Sequence, residues 1–219
     1  MDAPSILLAS ASPRRRRLIA WLGADHECIA TDTDEDLDSP LRAVPPVLAR
    51  SLAADKARAA RLMRPGPELI LAFDTIVVVE RRVLGKPESV QEARAMLDAL
   101  SGRVHDVVTG SALLFADETE PTTFAVTTPV AMRDLDDDTL SEWLAGDEAL
   151  GCAGAYNIER HLATVQDGEC YQNVAGLPLC HLFERLTRRG VASLTPPCEA
   201  CEKARGVECP LGRRLCRET

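Results

Sequence analysis

Residues 69–79 read LILAFDTIVVV, and ten of the eleven suit a strand buried on both faces. The sixth is Asp74. A carboxylate in the middle of such a strand loses its hydration, which is costly unless a cation or a donor meets it. The run therefore calls for a central strand with cover on both sides and a polar group opposite Asp74. A proton acceptor or a ligand for a cation explains the position better than a structural acid does. Thr75, one residue on, points to the other face of the strand.

The segments around this strand read as a mixed α/β domain. Ile6–Ala9 is a short apolar strand, followed by a turn and a helix that Ser12 caps and Pro13 begins. A second helix covers about 46–63, with Leu48, Leu52 and Ala60 on its apolar face. Ser89 with Glu92 reads as a capping box for a helix reaching about Leu100. Residues 104–116 and 122–133 read as two long strands with no helix between them. A helix over 136–145, a glycine-bearing loop at 151–155 and a last helix over 177–188 follow. An uninterrupted strand pair among alternating elements fits a mixed sheet better than an all-parallel one.

The length of 219 residues suits one sizeable domain plus an appendage. Cysteine placement shows where they divide. Cys28, Cys152, Cys170 and Cys180 are scattered, whereas Cys198, Cys201, Cys209 and Cys216 crowd the end of the chain after Pro196–Pro197. The expected organisation is a main domain over 1–190 and a cysteine-rich tail over 191–219. The net charge of −9 argues against a duplex nucleic-acid binder, which needs a basic face. It leaves room for a small anionic substrate held by local arginines. No apolar run approaches the ~20 residues of a membrane span. At the N-terminus the positive charge follows the apolar stretch, the reverse of a secretory signal. These features predict a cytoplasmic protein with reduced thiols.

Several motifs could carry chemistry. SASPRRRR stands where a strand hands over to a helix, and Ser10, Ser12, Arg14 and Arg15 offer hydroxyls and guanidinium forks for phosphate. A solvated basic turn is the plainer reading, and four successive arginines cannot all face one site. Lys56 lies on the apolar stripe of the second helix, either snorkelling or fixed at the floor of a site. Lys86, in LGKPES, is a surface lysine or one that reaches into a cleft. The acidic run TDTDEDLD at 31–38 is a solvated loop or a source of a ligand for a divalent ion. It is not the DxDxT motif of haloacid-type phosphatases, because Glu35–Asp36 stand where Gly-Thr belongs. The tail spacing C-x₂-C-x₇-C-x₆-C suits a structural zinc on Cys198, Cys201, Cys209 and Cys216. A disordered or redox-labile tail and an iron–sulfur site are the alternatives.

Taken together, SASPRRRRLIAWLG, LAADKARA, the long block from LAFDTIVVV to HDVVTG, GCAGAYNIE and CYQNVAGLPL resemble the Maf family of nucleoside triphosphate pyrophosphatases. The resemblance runs from about Ile6 to Leu186. It implies a fold shared with inosine triphosphatases, a long twisted mixed sheet with two lobes and a central cleft. It also implies hydrolysis of a nucleoside triphosphate to the monophosphate and pyrophosphate with Mg²⁺ or Mn²⁺, and a homodimer by analogy. By the same resemblance Asp74 is the proton acceptor and a metal ligand, and Glu35 is the metal-associated acid. Ser10, Arg14, Lys56 and Lys86 match the family's phosphate-binding positions, with Lys86 also steadying charge during catalysis, and Arg15 and Thr75 are further expected substrate contacts. The expected partner of Asp74 is a water on the divalent ion, with a lysine nearby. A regulatory role linked to septum formation, acting through the tail, is the competing reading. A pure binding module would have no need of the buried acid.

Two residues depart from the family pattern. Phe73 replaces a small residue and either narrows the pocket or packs in the core. Glu159 stands where members acting on dTTP and UTP carry glutamine. An ionised glutamate only accepts hydrogen bonds, which suits a guanine edge or 7-methyl-GTP. Tyr156 and GECYQNVAGLPL look more like the pyrimidine branch. The residues leave both substrate types open, with Glu159 leaning to a guanine-type base.

Overall fold

A computed structural model describes residues 5–66 and 69–217. Residues 1–4 and 218–219, at the ends of the expected domain and tail, lie outside the described residues, as does part of the N-terminal stretch read against a secretory signal. The first strand, β1 (Ile6–Ala9), is buried throughout. Pro13 opens α1 (Pro13–Ile19), where the Ser12 hydroxyl accepts the Arg15 N–H at 3.4 Å. Next comes β2 (His26–Ile29), which the sequence pattern does not predict because its residues are half-exposed at the sheet edge.

The long helix α2 (Pro45–Met63) precedes β3 (Leu69–Val79), which forms a hairpin with β4 (Arg82–Leu84). At the start of α3 (Val90–Leu100) the Ser89 hydroxyl accepts the Glu92 N–H at 3.1 Å. The return bond of the expected capping box is displaced by one residue, since Glu92 accepts from the Glu88 N–H at 2.8 Å. Strands β5 (Val104–Leu114) and β6 (Thr122–Met132) follow without an intervening helix. The main body ends with α4 (Asp137–Leu144), β7 (Ala163–Val165), α5 (Tyr171–Val174) and α6 (Leu179–Arg188). In the tail, α7 (Cys198–Arg205) and α8 (Pro210–Arg217) are helical, where the sequence left disorder as an alternative. Cys198 of α7 and Leu215 of α8 pack against Cys180 of α6, and that contact orders the tail.

One mixed sheet has the order β2-β1-β3-β5-β6-β7, with β4 on the free edge of β3. β1 runs parallel to β2 and β3, and the remaining pairs are antiparallel. The central strand is covered on both faces. Ile70, Ala72 and Ile76 pack with residues of α2, whereas Leu71, Phe73 and Val77 join Leu18, Leu97 and Leu182 in the main core. This alternation puts Asp74 on the α2 side and Thr75 on the other.

Two features open space at Asp74. β1 pairs Leu69–Ala72 and β4 pairs Val77–Val79, so neither strand pairs residues 73–76 along that edge. On the other edge β5 continues, with Gly110 opposite Asp74. A Cβ on Gly110 would stand 2.0 Å from the Ala49 carbonyl oxygen of α2. Its absence lets the alanine-rich helix lie close on the sheet.

Candidate active site

Lys56 is what faces Asp74. It lies two turns beyond Ala49 on the sheet side of α2 and is 9% exposed, while Asp74 is 3% exposed. Its ammonium donates to Asp74 Oδ1 and, at 2.6 Å, to Glu35 Oε1. The snorkelling alternative is thereby set aside, since a fixed cation bridges two acids. The lysine expected near Asp74 is Lys56 itself, which makes direct contact because a desolvated carboxylate is best met by a full opposite charge. Lys86 stands behind this group, its Nζ 3.7 Å from Glu35 Oε1. Burial opposes ionisation of Glu35, but Lys56, Lys86 and Arg15 outweigh it and hold its pKa below the ordinary 4.5.

The facing wall comes from α1 and the turn before it. Arg15 donates from Nε to the Gly176 carbonyl at 2.7 Å and from Nη2 to Thr75 Oγ1 at 2.9 Å. Its Nη1 reaches Ser10 Oγ at 3.5 Å, and Thr75 shares a 2.9 Å hydrogen bond with Thr109. Burial lowers the Arg15 pKa, with the Asp74 carboxylate opposing that trend. Arg14 donates from Nη1 to Cys152 Sγ at 3.1 Å, and its buried Nε has no hydrogen-bond partner. At the rim, Arg17 pairs with Glu159. Ser10, Arg14, Arg15, Glu35, Lys56, Asp74, Thr75, Lys86 and Glu159 all line one cavity of about 570 Å³. That volume lies within the range of small-molecule sites. Phe73 is fully buried in the core and takes no part in the lining.

The acids fit a hard cation. Glu35 Oε1 and Asp74 Oδ1 already converge on one positive nitrogen. Mg²⁺ is commonly held by one or two carboxylates, with waters and phosphate oxygens completing its shell.

The family model for Maf-like protein matches residues 5–189. This chain belongs to the Maf-like family. A dTTP/UTP pyrophosphatase of Acetivibrio thermocellus is 38% identical over 195 residues, covering 86% of this chain and 97% of that protein. Another dTTP/UTP pyrophosphatase, from Geotalea uraniireducens, is 40% identical over 195 residues, covering 87% and 98%. Among solved structures, the Staphylococcus aureus Ham1 protein aligns at 17% identity and a TM-score of 0.43, covering 59% of this chain and 72% of its own.

In this Maf-like chain the tail lies beyond the matched region. Its cysteines do not arrange as the zinc spacing suggests. Cys216 is within hydrogen-bonding reach of Cys198 and of Cys180, whereas Cys201 accepts from Gln172 Nε2 at 3.4 Å and Cys209 from the Gly212 N–H at 3.3 Å. Among the described residues, no group of three or more His, Cys, Asp or Glu is placed to hold a metal ion. The helical spacing of the tail sends its thiols to different neighbours.

Sequence reasoning missed Arg17, Cys152, Gly110 and Gly176. Arg17 could have been singled out only as one of four arginines, because its partner lies 142 residues away. Gly176 contributes a backbone carbonyl, and that role leaves no signal in a side chain.

Proposed function

We propose that this Maf-like chain hydrolyses a nucleoside triphosphate with a pyrimidine base, of the dTTP/UTP type, to the monophosphate and pyrophosphate. The observation that carries the reading is the buried Asp74–Lys56–Glu35 group at the floor of a cavity whose wall bears Arg14, Arg15 and Lys86. The names of the relatives support the reaction and favour it over a purely regulatory role.

The chemistry follows from the charges. Attack of water at the α-phosphorus expels pyrophosphate, so negative charge gathers on the leaving group. Arg14, with a free Nε donor, and Lys86 supply positive charge along the cavity wall. Arg15 is engaged by Gly176, Thr75 and Ser10 and holds that wall in place. Lys56 bonds Asp74 at Oδ1, which leaves Oδ2 to accept a proton from the attacking water. Glu35 and Asp74 would hold a Mg²⁺ or Mn²⁺ ion, which when bound neutralises phosphate charge.

Glu159 bears on the base. Its carboxylate is paired with Arg17 through Oε1, so part of its accepting capacity and charge is already matched within the site. That pairing and the dTTP/UTP pyrophosphatases among the relatives outweigh the lean to 7-methyl-GTP that Glu159 alone suggested.

Pyrophosphate release with Mg²⁺ or Mn²⁺, measured across dTTP, UTP, CTP, GTP and 7-methyl-GTP, tests the reading. We expect dTTP and UTP to be the best substrates. Asp74→Asn should lower the rate by about 10²–10⁴-fold, the usual contribution of a positioned base, while leaving the protein folded. Faster turnover of 7-methyl-GTP would overturn the base assignment, and full activity in Asp74→Asn would overturn the assignment of the base catalyst.

A further inference from the structure

The nucleotide reading makes no use of the thiols where the tail meets the main body. Cys180 on α6, Cys198 at the start of α7 and Cys216 on α8 pack together with Leu215. The thiols of Cys180 and Cys198 are both within hydrogen-bonding reach of the Cys216 sulfur. Gly212 brings α8 this close, since a Cβ there would stand 3.2 Å from the sulfurs of both Cys180 and Cys209. All of these cysteines are free thiols, and Cys216 is partly exposed. The same tail grips the segment ahead of α6 through Gln172 on Cys201 and through Arg205, 4.4 Å over the Tyr171 ring.

We propose that Cys180 and Cys216 form a modification site, a reversible disulfide made by hydrogen peroxide that fastens the tail to the main domain. The Cys216 thiolate attacks one peroxide oxygen, the O–O bond breaks, and the departing hydroxide takes up a proton as water. Cys216 is then a sulfenic acid. The Cys180 thiol gives up its proton and attacks the Cys216 sulfur, and the S–O bond breaks to release a second water. Two thiols and one peroxide thus yield one disulfide and two waters, the sulfurs losing the two electrons that the peroxide gains. Cys216 is the first to react because it is the more exposed of the two. A bond that closes and reopens between adjacent thiols is the kind of disulfide found in reducing compartments.

The test uses the full-length protein, reduced and then freed of reductant. It is treated with a small molar excess of hydrogen peroxide, and the remaining thiols are alkylated before peptide mapping without reductant. A peptide joining Cys180 to Cys216, lost on treatment with dithiothreitol, is the expected result. The link should vanish in Cys216→Ser and Cys180→Ser and persist in Cys28→Ser, whose thiol lies on β2. Cys216→Ser replaces the more exposed thiol, so it keeps the test decisive should the buried Cys180→Ser fail to fold. Thiols that both remain open to alkylation, a Cys198–Cys216 link in place of the expected one, or a sulfinic acid on Cys216 without any link would each overturn the proposal.

Discussion

Lys56 is the residue on which two carboxylates depend. Lys56→Met keeps the apolar stem but leaves Asp74 and Glu35 facing each other with no cation between them. Breaking a buried pair in this way costs about 3–5 kcal/mol, and the lower end is expected here because the Glu35 side chain is 31% exposed. Glu35 titrates below 4.5 in the fold, so its share of the stability is present above that value and is lost as pH falls through the folded pKa. Urea unfolding of both proteins should therefore show a gap at neutral pH that narrows in acid. His105 supplies a second pH effect. It is 3% exposed, its Nε2 lies 2.8 Å from the Tyr156 hydroxyl, and burial lowers its pKa to about 4 from 6.5. The unfolded chain takes the proton first, so this stability is full above about pH 6.5 and is lost as pH falls toward 4, by at most about 3 kcal/mol. His105→Gln should flatten the pH dependence of unfolding across that interval. His105 shows no special signal in its sequence neighbourhood, whereas Asp74 announces itself by standing in an apolar run.

Among the elements, the contact of α2 with β5 sets the site. Gly110→Ala would drive a Cβ to 2.0 Å from the Ala49 carbonyl, and backbone rather than a side chain would have to give way. We expect a loss of about 1–3 kcal/mol, the usual cost of overpacking. Turnover should fall as well, because Lys56 rides on the helix that must lift away. Thermal unfolding and pyrophosphate release on one preparation check both. The long elements β3, β5, β6, α2 and α3 were legible in the sequence, since ten or more residues of periodic pattern leave little ambiguity. The short strands β2 and β7 were not: unlike β1, whose four residues are all apolar and buried, they are partly exposed, carry too little pattern and owe their conformation to the neighbour they pair with. The tail helices were missed for a similar reason: their burial rests on α6 rather than on a stripe of their own.

Over the whole molecule, a chain of net charge −9 directs Arg14, Arg15, Arg17, Lys56 and Lys86 into one cavity. Glu35, Asp74, Asp147, Glu148 and Glu159 line the same cavity, so the attraction for a polyanion is local to Arg14 and Lys86 rather than a property of the whole cavity. The KM for a nucleoside triphosphate should therefore rise several-fold with added salt at constant free Mg²⁺, with kcat little changed, because screening weakens the exposed charges most. Steady-state kinetics along a salt series would show this, and a flat KM would mean that the cavity charges are already matched by Glu35, Asp74 and Glu159. Among the described residues no helix is long and apolar enough to cross a membrane.

The sequence by itself determined the mixed α/β class, the central strand, the acid within it and part of the polar lining of the cavity, Ser10, Arg14, Arg15, Glu35, Lys56 and Lys86 among it. Periodicity and the cost of burying charge are local properties, and both can be read residue by residue. The tertiary structure alone decided which groups meet. Lys56 lies 18 residues from Asp74, Arg17 lies 142 from Glu159, and Cys180 meets Cys216 across the length of the tail. Such pairings depend on where β1 stops along β3, on the missing Cβ of Gly110 and on how the last two helices close on α6. Each is a matter of shape in three dimensions, for which no single stretch of chain carries the pattern.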